Sequence, residues 1–567
     1  MADKIAPRTD GVEPVPFEME EPIKEPIEKV QYGVQLAEAV TLSWTKRSLI
    51  VMYICMWLLY FVNALQNNLT SNLSAYITSD FSEHSLLTVI STMTSIMTAA
   101  CTMPIAKVLN IWDRTVGFTF MMVVAIIGLI VMASCHNITT YCAAQVMYSV
   151  GFTGLIFTVD VITSDTSSLR NRGLAFAFTA SPNIITAFAG SPLSQQFHES
   201  NWRWAYGTVS ILLPVVATPL LVTWWLAKQK ALKNHVIEDT TPTRTWMESF
   251  KYYFVEFDVI GVFLLIAGFS LLLLPLTLAA SQGNKWKTDY IIAMIVLGGV
   301  FVICFGVYER FFAPKPFIAY HLLSSRTVIG ACLLDFAYQI AYYCWNSYFT
   351  SYLQVVYNTS LTNAGYINSI FDMVSAVWLL GAGFLMRYTG RFKWLLYIAV
   401  PLYMLAVGLM IQFRSPGHNI GLIVMCELFM GFGGGTMILV QQIAVMAASK
   451  HEDYAAMLAL LSLFGNIGGA VGNSISGAIW TNTMPKKLRQ FLPADKKAEW
   501  ETIYDDLTVQ LTYPVGSETR DAIVAAYGVA QRNMLIAGTV IMASSLIWTM
   551  MMKNIKLKNL EGMGVVF

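Results

Sequence analysis

The sequence runs to 567 residues, 56% of them hydrophobic and only 13% charged, with a net charge of +1. A soluble domain carries about 25% charged residues, and here no basic face is left to meet a phosphate backbone. A soluble enzyme, a disordered chain, a nucleic-acid binder and a disulfide scaffold are therefore excluded, which leaves a membrane-embedded protein.

Residues 1–47 hold five Pro and nine acidic residues. They read as a disordered cytoplasmic tail with no cleavable signal peptide. Apolar runs of about 18 to 25 residues follow, each long enough to cross the hydrocarbon layer at helical rise. Fourteen are expected, near 48–66, 86–107, 115–134, 141–161, 174–193, 205–226, 257–279, 290–312, 328–350, 364–386, 392–412, 420–447, 455–481 and 533–552. They must be helices, because lipid offers no partner to an open backbone.

No Lys or Arg sits deep in a run. Lys107, Arg203, Arg310 and Arg532 come nearest, at run ends where a long side chain reaches the headgroups. Cations cluster in alternate connections, among them Lys46, Arg47, Arg114, Arg170, Arg172, Lys228, Lys251, Arg387, Arg391 and Lys553. The short loops of the other side hold Arg203, Lys285, Lys287 and Arg414. The positive-inside rule then makes both termini cytoplasmic. Four N-x-[ST] acceptors, Asn68, Asn72, Asn137 and Asn358, all fall in expected outer loops. Their glycosylation would imply a eukaryotic secretory route. The eight Cys show no metal or redox spacing, although Cys135 and Cys142 flank an outer loop and could pair. His84, His136, His198 and His418 lie on outer loops and read as solvated surface.

Six helices (48–226) precede a basic cytoplasmic linker (227–256). Two more (257–312) form an insert, and six (328–552) complete the membrane part before a tail at 553–567. The reading is an all-α membrane protein of two pseudo-symmetric six-helix bundles, 6 + 2 + 6. In such repeats the substrate site lies near the bilayer midplane between the halves. Helix nine carries Asp335, Tyr338, Gln339, Tyr342, Trp345, Asn346 and Phe349 at spacings of one to four residues, read as one face. An Asp facing lipid would cost about 2.5–3.5 kcal/mol, so the stripe is expected to face a cavity. Helix one carries Tyr53, Trp57, Tyr60, Asn63 and Asn67. Interfacial aromatic belts and ordinary packing are the alternative for any single ring.

Asp335, Asp372 and Glu427 lie at mid-depth in the second half. Intramembrane acids are functional candidates, and a carboxyl shielded from water takes up a proton more readily. They are the expected proton-coupling residues, with no buried Lys or Arg available to neutralise them. A structural carboxyl is the alternative for each. Ser462, Asn466, Gly469, Asn473 and Ser476, and the glycines Gly431, Gly433, Gly434 and Gly435, read as helix-packing positions. No nucleophile–base set, phosphate loop or metal-ligand spacing appears. A transporter without a resident cofactor or metal is expected rather than an enzyme.

The loops after the second helix of each half read Asn110-Ile-Trp-Asp113-Arg114 and Arg387-Tyr-Thr-Gly-Arg391. Short basic loops there resemble the mark of the major facilitator superfamily, with Asn110 where the superfamily usually has Asp and Asp113 where it usually has Gly. Asp165-Thr-Ser-Ser-Leu-Arg170-Asn-Arg172-Gly173 runs into Ala175-Phe-Ala-Phe-Thr-Ala-Ser-Pro182. Near the other end, Tyr513-Pro-Val-Gly-Ser517 and Arg520-Asp-Ala-Ile-Val-Ala-Ala-Tyr-Gly528 close an outer loop expected over 482–531. This pair resembles the fungal siderophore–iron transporters, a fourteen-helix branch of that superfamily, over about 44–560. The resemblance implies proton-coupled import of ferric siderophores by alternating access, with iron carried as a chelate, hydroxamates as the expected class, and a monomer in a plasma or endosomal membrane. Tyr513, Arg520, Tyr527 and Arg532 are assigned to a cover over the outer mouth. A proton-coupled drug exporter and a sensor are the rival readings. Exporters of this class carry G-x-x-x-G-P-x-x-G on helix five, which Gly190-Ser-Pro192 matches only in part.

Overall fold

The computed structural model describes residues 45–81, 84–233, 245–279, 287–315, 325–449 and 453–557, with Leu36, Val40 and Leu323 besides. The tail expected over 1–47, the middle of the 227–256 connection, Lys285 and the end of the tail at 553–567 lie outside these, apart from the few positions named.

Fourteen helices are long and apolar enough to span a membrane. They are α1 (Lys46–Asp80), α2 (Leu87–Ile111), α3 (Arg114–Ser134), α4 (Ile138–Thr166), α5 (Arg172–Ser200), α6 (Arg203–Ala231) and α7 (Val259–Leu278). The others are α8 (Asp289–Phe311), α9 (Arg326–Tyr357), α10 (Leu361–Thr389), α11 (Lys393–Phe413), α12 (Ile420–Ala447), α13 (Tyr454–Phe491) and α14 (Glu518–Met551). Local chemistry sets several starts. Asp113, Asn137, Asn419 and Ser517 accept backbone N–H bonds ahead of α3, α4, α12 and α14. Tyr348, in the left-handed region at φ 58°, breaks α9 near its end.

Within the first bundle α1 packs on α5 and α6, and α3 on α4 and α6; within the second α9 packs on α13 and α14, and α12 on α10 and α11. Two seams join the bundles, α2 against α13 and α5 against α10. An added Cβ at Gly468 of α13 would lie 2.5 Å from the Phe336 carbonyl of α9, so only glycine permits that approach. The four glycines of α12 likewise pack against Val374, Tyr403, Phe371 and Ser375. α7 covers the α2–α13 seam, and α8 packs on α7 with most of its surface left open. Apolar side chains such as Ile303, Val296 and Phe263 point outward, as hydrocarbon requires.

Several expected limits move. α1 continues through Asn67, Asn68 and Asn72 to Asp80, where a helix end near 66 was expected. Asn67 faces the space between the bundles, and the other two amides face protein. Asn72 donates to Ser194 at 3.2 Å and is buried, and Asn68 accepts from Ser369 at 2.8 Å. Both therefore lie inside α1 between packed segments, and of the four acceptors Asn137 and Asn358 are the exposed ones. The outer loop shrinks from 482–531 to 492–517, because α13 runs on to Phe491 and α14 starts at Glu518. Cys135 and Cys142 are both free. His84, expected at the surface, is buried with its ring edge-on to Tyr348 and Trp480.

Candidate functional site

Two chambers lie between the bundles. The one nearer the arginine-rich end holds about 400 Å³ and includes Asn63, Asp160, Asp335, Gln339, Gln441 and Asn466. The one nearer the 492–517 loop holds about 310 Å³ and includes Ser74, Thr94, Gln145, Tyr342, Asn346 and Asn473. Asn67, Tyr148, Ser149 and Tyr343 line both, so these side chains form the partition. Among the described residues neither lining contains Lys, Arg or His.

Helix periodicity explains how α9 serves them. Asp335, Gln339, Tyr343 and Asn346 recur every three or four residues and face the chambers. Tyr338 and Trp345 of the expected stripe turn the other way. Both are buried in the second bundle, where the Trp345 indole donates to Tyr403 Oη at 3.1 Å. Tyr342 lies between these faces and accepts from the Asn346 amide at 3.2 Å. Tyr343, which was not singled out from sequence, is the α9 ring that reaches both chambers.

From α1, Asn63 and Asn67 line the cavity and Tyr60 donates to Asp160 Oδ1 in a close hydrogen bond. Tyr53 instead bonds Thr166 at 3.1 Å and borders an apolar hollow with Ile50, Ile54 and Phe178 near the basic end. Trp57 donates to Ser181 at 2.9 Å, where α5 kinks. Neither ring lines a chamber.

The acids part company. Asp335 opens into the larger chamber, and its Oδ1 accepts from the Gln441 amide at 3.1 Å once that amide is oriented to satisfy both groups. Asp372 is half-buried and lines neither chamber. Glu427 is fully buried inside the second bundle, and neither carboxyl oxygen has a hydrogen-bond partner among the described residues. The expectation that no buried cation lies near them fails. Arg414 caps α11 and is 1% exposed. Its guanidinium donates to the Trp345 carbonyl at 2.5 Å and lies 4.2 Å from the Phe349 ring centre. Burial lowers its pKa to about 10, which leaves it charged at neutral pH. An outer-loop position in the sequence concealed this, because the side chain turns inward from the helix end to Trp345 and Phe349.

Layers of contact lie at both ends of the chambers. At the loop end Ser369 donates to Asn68, Asn368 to Ser71 at 3.2 Å, and Tyr76 to Gln354. At the basic end Arg170 Nε donates to the Arg387 carbonyl at 2.9 Å, and the Arg172 guanidinium lies 4.4 Å from the Tyr454 ring centre. Arg114 pairs with Asp165, and Asp113 accepts from Lys228 at 2.7 Å. The Arg391 backbone forms an isolated bridge with Lys556, and Asn110 lies in the last turn of α2.

Of the residues assigned to an outer cover, Arg520 is buried and donates to the carbonyls of Gln354, Val355 and Gln510. Tyr527 donates to Gln510 at 2.8 Å and meets Trp480 edge-on. Tyr513 donates to Glu499 at 3.1 Å. Arg532 points outward from α14 and takes no part in the cover. The 492–517 segment reaches the first bundle, where the Leu507 N–H donates to Ser79 at 3.1 Å.

The family model described as Major Facilitator Superfamily matches residues 56–473. The chain is 56% identical over 543 residues to MFS siderochrome iron transporter D of Aspergillus fumigatus, covering 96% of this chain and 91% of that protein. It is 49% identical to siderophore iron transporter mirB of Emericella nidulans, covering 96% and 90%. Among solved structures, the peptide transporter POT with alafosfalin bound superposes with a TM-score of 0.56 at 13% identity, covering 92% of this chain and 99% of that one. That likeness speaks for the fold alone.

Proposed function

The chain belongs to the major facilitator superfamily and, within it, to the siderophore iron transporters, and on that premise we propose how it works. It is a multi-pass membrane transporter, not an enzyme, and it imports siderophore-bound iron. Import is driven by protons, with Asp335 the acid that meets the substrate chamber and Asp372 and Glu427 further acids of the coupling half. The arginine-rich end faces the cytoplasm with both termini, and the 492–517 loop faces outside, in the plasma membrane. The protein acts as a monomer, with the lipid bilayer around it and no resident metal or cofactor.

The observation that supports this reading is the chamber lining: amides, hydroxyls, phenols and acids, with no cation among the described residues. Three singly charged hydroxamates exactly balance a ferric ion and give a neutral complex. Three doubly charged catecholates leave a threefold negative complex, which an acid-lined chamber repels. Ferric trihydroxamates are therefore the substrate class. Asn63, Asn67, Gln339 and Asn346 supply the hydrogen bonds, and Tyr148, Tyr342 and Tyr343 the ring faces.

The test is radio-iron uptake by a siderophore-uptake-null yeast expressing the full chain. Saturable uptake of ferric trihydroxamates, abolished by a protonophore, is expected. Equal uptake of tricatecholates would overturn the substrate class, and uptake indifferent to the protonophore would overturn the coupling.

A further inference from the structure

Two acids, not one, open into the larger chamber. Asp335 comes from α9 in the second bundle and Asp160 from α4 in the first. The bundles' pseudo-symmetry relates their settings, because α1 and α4 correspond to α9 and α12. In the first bundle the acid stands on the fourth helix and its donor, Tyr60, on the first. In the second the acid stands on the first helix and its donor, Gln441, on the fourth. Each bundle thus presents one carboxyl held by one neutral donor on the same pair of helices, with the roles exchanged.

Among the described residues Asp160 has no counter-ion. Tyr60 is the titratable group on α1 that touches it. The only charged residue of α2 is Lys107 and of α3 is Arg114, each near the basic end of its helix, where Arg114 pairs with Asp165. α13 has no charged residue between Tyr454 and Pro485, and at the start of α5 the Arg172 guanidinium is turned to the Ser164 and Ser167 carbonyls. Across the chamber the facing acid is Asp335, with the phenols Tyr148 and Tyr343 beside the cavity. Oδ2 of Asp160 has no hydrogen-bond partner in the structure's described residues, whereas Oδ1 accepts from Tyr60. The acid also stands between the chamber and the contacts of the basic end, five residues before Asp165.

We propose that Asp160, positioned by Tyr60, carries a coupling proton on the first bundle's side of the chamber, opposite Asp335. The step is a protonation alone. Oδ2 takes a proton from chamber water and the carboxylate becomes neutral. When the basic end parts, the proton returns to water on the cytoplasmic side. Tyr60 keeps its own proton and donates to Oδ1 throughout. The proposal rests on proton-driven import, and the experiment separates the two.

Asp160→Asn keeps the shape and an acceptor for Tyr60 but cannot carry the proton. In the yeast uptake assay and in proteoliposomes, gradient-driven accumulation of a ferric trihydroxamate should fall by about tenfold or more, while exchange of labelled for unlabelled chelate stays within about twofold. Asp160→Glu should retain accumulation, with both variants present in the membrane at the parent level. An Asn variant that accumulates like the parent overturns the proposal. So does one that loses exchange together with accumulation, since that marks a substrate contact or a structural role. A parent chain indifferent to a protonophore overturns proton-driven import itself, whereas a sensitive parent beside a fully coupled Asn variant removes Asp160 alone.

Discussion

Arg414 and Glu427 put two ionisable groups inside the second bundle, each with polar atoms unmet. The Nε and second terminal nitrogen of Arg414, and both oxygens of Glu427, lack hydrogen-bond partners among the described residues. The field of Arg414 reaches Glu427 without a direct bond. Removing one member of such a couple leaves a lone buried charge, which typically destabilises by about 3–5 kcal/mol. Arg414→Met should therefore lower the melting temperature in detergent sharply, and adding Glu427→Gln should recover part of the loss. Strictly additive losses in the double-mutant cycle would show that the two groups are not coupled. At this scale the sequence was partly legible. The spacing of Asp335, Gln339 and Asn346 placed them on the chamber face. It could not divide them from Tyr338 and Trp345, because a polar-aromatic stripe wider than one helix face fits a chamber and a bundle core alike. Asp160 escaped notice because α4 was expected to end at 161, which made the acid look terminal; the helix runs to Thr166 and holds it inside.

Helix ends are where element-scale reading went astray, and one physical cause covers α1, α13 and α14. Hydropathy marks the stretch that lipid requires, whereas a helix continues wherever protein satisfies its polar side chains. The extension of α1 carries it to the cluster around His84, where Tyr348 and Trp480 stack at 4.1 Å. Burial lowers the His84 pKa to about 4, with the Asp506 carboxylate opposing. A pKa below the ordinary value means that the neutral ring stabilises the closed loop end. That contribution is complete above pH ~6.5 and is lost as the pH falls toward the folded value. Melting temperature should thus hold level above that range and decline below it, and His84→Leu should flatten the decline. Arg520 fastens the 492–517 segment to the end of α9 through three carbonyls. Each buried carbonyl stripped of its donor costs about 1–3 kcal/mol. Arg520→Gln should consequently expose 492–517 to limited proteolysis at protein levels that leave the parent intact. Equal cleavage of parent and variant would show that the segment is held by its other contacts.

At the scale of the whole molecule, the 6 + 2 + 6 order was legible from run number and loop charge alone, because each span must be apolar whatever it packs against. Which seams close was not legible, since α2 with α13 and α5 with α10 meet only in the fold. Polar contacts join the bundles at both ends of the chambers, and substrate can enter from the loop end only if that layer opens. The Ser369–Asn68 bond at 2.8 Å crosses that layer between α10 and α1. Replacing both with Cys allows a short bifunctional thiol reagent to fasten the bundles where they must separate. Iron-chelate uptake should stop on cross-linking and return when a cleavable reagent is reduced, while each single Cys variant treated alike keeps transporting. The buried native cysteines, Cys55, Cys332, Cys344 and Cys426 among them, lie within the bundles, and the single variants report any reaction at the others. Uptake that persists at the parent rate in fully cross-linked protein would mean that α1 and α10 never part there, and substrate would have to enter the chambers by another seam.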